Sequence, residues 1–410
     1  MIDESFDVVV VGGGPAGATA AHELARRGRR VLLLDRAGRI KPCGGAIPPR
    51  LIQDYAIPPA LLVARITAAR MVAPAGRRVD IPIDDGYVGM VDREVFDEWL
   101  RERAAAAGAV RREGRFERIE RDASGAPWVC YTADQDAAPV RVRTRFVVGA
   151  DGARSRVAAQ EVPGAERGRF VFAYHEIVRT PAVPPSGYEG TRCDVVYRGA
   201  LSPDFYAWVF PHGDHLSIGS GSADKGFSLR RAVAALRGEI GLAGATTLRC
   251  EGAPIPLKPL PRWDNGRDVV LAGDAAGVVA PSSGEGIYYA MVGGSLAADA
   301  ADAALASGRA AALKAARRRF MRAHGNVFRV LGLMQWFWYR SDARRERFVA
   351  ICEDRDVQQL TFDAYMNKRL VRRRPLAHVR IFFKDLGHLL GLVPVDSAAG
   401  RDVRDTKVLP

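Results

Sequence analysis

The chain opens with a strand, a glycine-rich turn, a helix and a second strand ending in an acid. That order leaves little freedom in the fold. Val8 to Val11 is a wholly apolar run of β-branched residues, the composition of a strand buried on both faces. Gly12, Gly14 and Gly17 follow as GxGxxG, with Pro15 and Ala16 inside the motif. Glycine permits the sharp turn and lets a pyrophosphate approach the amides that open the next helix. The spacing predicts that helix over 15–27, with Ala20, Leu24 and Ala25 on its apolar side and Gly28 at its end. Val31 to Leu34 is the second strand. Asp35 closes it 18 residues after Gly17, where a carboxylate accepts hydrogen bonds from a ribose, and Arg36 follows. The unit predicts a bound dinucleotide.

Two later segments identify the cofactor. Arg145 to Arg156 reads RFVVGADGARSR, and Asp268 to Gly277 reads DVVLAGDAAG. With the first motif, this trio resembles the FAD-binding domain of the para-hydroxybenzoate hydroxylase-like flavoproteins, over about the first three-quarters of the chain. The resemblance implies one FAD. It implies that Asp274, after Gly273, holds the ribityl chain, and that Asp151 braces the fold near the flavin and its nicotinamide donor. It also matches Arg93 to an arginine that contacts FAD. Pro281 to Ala300 reads PSSGEGIYYAMVGGSLAADA, and Ser282 or Ser283 is expected to cap a helix running to about Leu305. A helix N-terminus carries roughly half a positive charge, so pointed at the isoalloxazine it would favour an anionic reduced flavin. Gly284 and Gly286 allow close backbone approach. Glu285 is either part of the cofactor site or an ordinary acid in a first helical turn.

Three further segments narrow the chemistry. Lys41 to Pro48 reads KPCGGAIP, Pro203 to Pro211 fits PxxYxWxFP, and Gly284 to Tyr289 reads GEGIYY. These resemble the geranylgeranyl reductases. The tail segments Phe337 to Ser341 and Thr361 to Tyr365 look like the branch acting on chlorophyll-type pigments, closest to the geranylgeranyl-bacteriochlorophyll reductases. The resemblance implies saturation of three of the four double bonds of a geranylgeranyl group, giving phytyl. The substrate would be geranylgeranyl-bacteriochlorophyll or geranylgeranyl diphosphate. An isolated alkene needs a hydride from flavin N5 on one carbon and a proton on its neighbour. Cys43, with Gly44 and Gly45, is the candidate catalytic segment. Tyr206, Trp208 and Phe210 alternate, share one strand face and would wall an apolar groove for the prenyl chain. The alternative is an ordinary sandwich core face. No second GxGxxG follows. No separate nicotinamide domain is therefore expected; the resemblance implies that NADPH binds transiently at the surface, with a ferredoxin-type donor as the alternative.

At 410 residues the chain can hold two domains and a tail. The fold class expected is α/β (α+β overall). A Rossmann-like FAD-binding domain would occupy 1–65, 92–160 and 262–306. An inserted antiparallel-sheet substrate domain would take 66–91 and 161–261, and a basic helical region 307–410. Candidate strands are Val171 to Val178, Arg192 to Tyr197, Tyr206 to Phe210 and His215 to Ser220. Arg93 to Ala107 reads as a helix with Val95, Phe96, Trp99 and Leu100 inward. The five cysteines are scattered, which suits a reducing cytosol and argues against a metal site. The N-terminus reads as no secretory signal. Lys314 to Lys384 holds 18 Lys and Arg against 6 Asp and Glu, so most of the net charge of +13 lies there. Aromatic clusters at Val330 to Tyr339 and Val379 to Lys384 interleave with that charge. They suit peripheral docking on an anionic membrane from the cytoplasm, or a solvated helical face over a core stripe. No nucleic-acid module is visible. Two other functions compete: a flavin monooxygenase on the same fold, and a non-catalytic membrane-docked flavoprotein for pigment assembly. The WxWxIP segment expected of a halogenase is missing, since Trp336-Phe337-Trp338 runs into Tyr339-Arg340-Ser341.

Overall fold

The computed structural model describes residues 4–359, apart from 37, 39, 85 and 134–137, together with Lys368. The architecture is mixed α/β, built on two large sheets. In the first, the strands Val110–Glu113, Val31–Asp35, Ser5–Val11 and Val140–Gly149 run parallel, and Val269–Leu271 joins Val140–Gly149, also parallel. Pro127–Thr132 and Arg115–Arg121 extend the sheet antiparallel. Val8 to Val10, Leu32, Leu33 and Val269 to Leu271 are fully buried, as continuous apolar runs in a covered parallel sheet must be. The helices Pro15–Arg26 and Ile287–Ser307 pack against each other. A Cβ at Gly294 would meet the Ala16 carbonyl at 2.2 Å, so the small residues of the second helix set how closely the two backbones lie.

The second sheet runs in the order Thr247–Pro256, Phe170–Arg179, His215–Ser222, Ala207–Pro211, Arg192–Val196, Ala68–Val72, Arg78–Pro82. It is not antiparallel throughout, as Arg192–Val196 pairs parallel with Ala68–Val72. A small sheet of Ala46–Ile47, Val88–Met90 and Ala64–Ile66 lies in the connections between the two.

Three expectations change. The helix Arg93–Ala106 buries Arg93, Phe96, Asp97, Leu100 and Ala104, whereas Val95 is 57% exposed. An ion pair between Arg93 and Asp97 takes the inward positions that apolarity alone would give to Val95. The helix expected from Ser282 or Ser283 begins at Ile287, with Gly286 at its N-cap and no side-chain cap. The preceding residues form a closed turn instead: Gly284 N–H donates to Ala280 O, and Ala280 N–H to Glu285 O, both at 2.9 Å. Gly284 turns with φ of 66°, a conformation that ends helical continuation. Glu285 is therefore no first-turn acid.

Past Ser307 the described chain is helical, chiefly Ala315–Trp338 and Asp342–Ile351. The aromatic run there divides. Trp338 and Tyr339 join a buried cluster with Tyr197, Phe205 and Tyr206, while Val330, Leu333 and Trp336 stay exposed. Thr361 to Tyr365 and Val379 to Lys384 lie outside the described residues.

Candidate functional site

A groove of about 630 Å³ opens at the ends of the parallel strands, lined by Gly12 to Ala16, Asp35, Arg36, Arg101, Ala150 to Arg154 and Asp274. This is where ligands sit on open parallel sheets. The first glycine of the motif is required by its neighbours: Gly12 has φ of 104°, and a Cβ would meet Ala150 O at 2.3 Å. Gly14 differs. A Cβ there would meet nothing within 4 Å and would fill the groove itself, ahead of the helix N-terminus. That is the cradle a pyrophosphate needs.

Asp35 lies at the end of its strand with Arg101 Nη1 at 3.3 Å, and burial pushes its carboxyl up. Asp151 accepts hydrogen bonds from Ser155 Oγ (2.5 Å), Arg156 N (2.7 Å) and Val157 N (3.2 Å), so it braces the turn while its neighbours face the groove. Asp274 sits in a short 3-10 turn, Gly273–Ala276, and pairs with Lys41 Nζ at 2.5 Å.

An inner compartment of about 100 Å³ adjoins this groove, sharing Pro15, Lys41, Ala173, Asp274 and Ala290 with it. Cys43, Gly44, Arg93, His175, Trp208, Ile255, Val279, Gly284, Gly286 and Ile287 line it. Cys43 is half-buried and free, with Gly45 N–H donating to its Sγ at 3.5 Å. Arg93 is buried beside it and grips Asp97 with two bonds of 2.8 and 2.6 Å. Burial opposes the Arg93 charge, but Asp97 and Cys43 outweigh it and raise the guanidinium pKa. Gly45 is pressed against His212, whose Nε2 would stand 2.6 Å from an added Cβ. Burial lowers the His212 pKa to about 4, and its Nδ1–H donates to Phe210 O.

The three aromatic residues stand in a row, with ring centroids 6.0 Å apart for Tyr206–Trp208 and 6.2 Å for Trp208–Phe210. Only Trp208 lines the inner compartment. Phe210 packs under Gly44, where a Cβ would meet its ring at 3.1 Å. The Tyr206 hydroxyl donates to Ser283 O at 2.5 Å and so ties the second sheet to the turn carrying Gly284. Tyr339 does the same to Ser282 O at 3.0 Å from the C-terminal helices. Glu285 is buried beneath this turn, paired with Lys368; burial pushes its carboxyl up and the Lys368 charge opposes that.

Sequence reasoning missed His175, which reaches the compartment from the middle of Phe170–Arg179, with Glu251 behind it. It also missed Lys41 as a partner of Asp274. A histidine in a strand of mixed residues carries no local signal of this role; KPCGG did place Lys41 two residues from Cys43.

The Gly14 cradle, Asp35 and Asp274 beside it, and the single motif set define a flavoprotein oxidoreductase with one FAD. The family profile for pyridine nucleotide-disulphide oxidoreductases matches residues 6–176. The geranylgeranyl diphosphate reductase of Rhodobacter capsulatus is 59% identical over 389 residues, 95% of this chain and 98% of its own length. The chloroplastic geranylgeranyl diphosphate reductase of Oryza sativa is 38% identical, over 93% of this chain and 86% of its own. The chain belongs to the geranylgeranyl diphosphate reductase family. The fold is shared with a crystal structure of a geranylgeranyl bacteriochlorophyll reductase-like protein from Thermoplasma acidophilum, at a TM-score of 0.78 and 20% identity, over 91% of this chain and 99% of that one.

Proposed function

We propose that this enzyme saturates three of the four double bonds of a geranylgeranyl group carried on bacteriochlorophyll, leaving phytyl, with NADPH as hydride source. The observation that carries the reading is the inner compartment: an apolar niche with a thiol, opening directly on the FAD groove. FAD would be held by the Gly12–Gly17 turn, Asp35 and Asp274, and when bound and reduced it supplies the hydride. An isolated alkene offers no carbonyl to polarise, so the chain's own work is to hold the prenyl group, exclude water and provide a proton. Trp208, Ile255, Val279 and Ile287 give an apolar wall. The π-face of Trp208 would favour positive charge developing on the alkene. Cys43 is assigned to place the reacting carbons and pass the proton, with Arg93 beside it.

The relatives' names favour free geranylgeranyl diphosphate as a second carrier. Mass spectrometry after anaerobic incubation with FAD, NADPH and each carrier tests both. Stepwise gains of two hydrogens ending at phytyl support the reading. Product formed only when oxygen is admitted to a parallel incubation, and consumed there, would make this a monooxygenase. If NADPH leaves the flavin oxidised, a ferredoxin is the donor to try.

A pigment-bound substrate is met at a membrane, and no helix among the described residues is long and apolar enough to cross one. We assign peripheral docking, on the cytoplasmic face, to the helix Ala315–Trp338. Leu333 is 63% and Trp336 56% exposed there, and the Arg340 guanidinium lies 4.5 Å from the Trp336 ring centre. Apolar side chains among arginines suit an anionic lipid surface. Leu333→Ser with Trp336→Ser should abolish co-sedimentation with anionic vesicles.

A further inference from the structure

Trp208 is held from behind by hydrogen bonds that the reduction does not itself require. Its Nε1–H donates to Ser217 Oγ at 3.1 Å. Ser217 Oγ meets His175 Nδ1 at 2.9 Å, and His175 Nε2 meets Glu251 Oε2 at 3.0 Å. Arg249 reaches the other Glu251 oxygen at 2.5 Å. Four neighbouring strands supply these groups, with Gly219 the register partner of both His175 and Trp208, and Glu251 that of His175. At Gly219 a Cβ would meet the Trp208 ring at 2.2 Å and His175 Cβ at 2.7 Å, so the indole packs directly on bare backbone.

Chemistry fixes the direction of the two outer bonds. The indole can only donate. Burial works against the Glu251 charge, but His175 and Arg249 hold its carboxyl below the usual range, so it only accepts. His175 Nε2 therefore carries the proton, and Ser217 Oγ takes the indole N–H on a lone pair while its contact with Nδ1 joins Trp208 to His175. Ser217 and His175 are buried, where an unmet polar group is costly, so breaking any link releases Trp208.

We propose that Ser217, His175 and Glu251 are positioning residues that fix the plane of Trp208 against the prenyl pocket. The inference rests on reading that pocket as the geranylgeranyl site.

The test uses the full-length holoenzyme and two readouts. With ¹⁵N-indole labelling, the Trp208 resonance is identified by its loss in Trp208→Phe. Ser217→Ala should shift that resonance and speed its exchange with solvent. It should also lower kcat about tenfold, with FAD content unchanged and KM little moved. In the Trp208→Phe background, which has no N–H to hold, Ser217→Ala should cost nothing further. A second variant, His175→Leu, should give the same two effects in smaller measure. An unmoved indole resonance, or an equal kcat loss in both backgrounds, overturns the proposal. If the wild-type enzyme leaves geranylgeranyl carriers untouched, the functional reading fails, while the resonance still decides whether the chain holds Trp208.

Discussion

The outer groove and the inner compartment share one cleft but are built on opposite plans. The groove is the more polar and the roomier of the two, and is made of short continuous motifs, each carrying its own turn. The compartment is small and apolar. Cys43 reaches it from a loop, and Arg93, His175, Trp208 and Ile287 from four separate elements. Tight cofactor binding needs backbone amides and carboxylates, which a local motif can present. Guiding a long apolar chain needs a shape, and only tertiary packing makes one. Damage to the groove should therefore empty the protein of FAD, and damage to the compartment should stop turnover with FAD in place.

The largest expected effect is in the turn that shapes the groove. At Gly17 a Cβ would lie 1.8 Å from the Gly12 carbonyl oxygen, so Gly17→Val should destabilise by about 3 kcal/mol or more. Thermal unfolding and flavin absorbance read this; a stable, yellow Gly17→Val protein would break the distinction. Next, Asp274→Ala should weaken FAD at least about tenfold by removing a charged acceptor, as titration of the apoprotein would show.

In the compartment, Cys43→Ala should lower turnover about tenfold or more while FAD affinity holds. Parallel loss of both would mean that the two regions are one. The smallest effect concerns the backing of the inner wall. His324 packs among Tyr288, Tyr289 and Phe320, and burial lowers its pKa to about 4. The unfolded chain takes up this proton near pH 6.5, the folded one only near 4. Stability is thus whole above pH 6.5 and should fall as pH drops towards 4. His324→Phe should flatten that slope in melting curves.

The same division explains what the sequence disclosed. The βαβ unit was legible because periodicity, glycine spacing and a terminal acid agree over adjacent residues. Cys43 and Trp208 were legible through resemblance. The His175–Glu251 link was not, because strand register, not spacing, brings residues 76 apart to 3.0 Å. The helix start near Ser282 was misread because serine is a good cap anywhere, whereas the turn that displaced it depends on a bond between Ala280 and Glu285. Val95 was misplaced because a buried ion pair outranked a valine for the inward face.

The two phenol hydroxyls on Ser282 and Ser283 have a consequence for biosynthesis. Chains grow from the N-terminus at roughly 5–20 residues per second. The glycine motif leaves the ribosome first, yet Tyr339 comes more than three hundred residues later. A nascent chain thus owns a nucleotide cradle long before it owns a finished reaction chamber. The last helices act as the final fastening of the turn that carries Gly284.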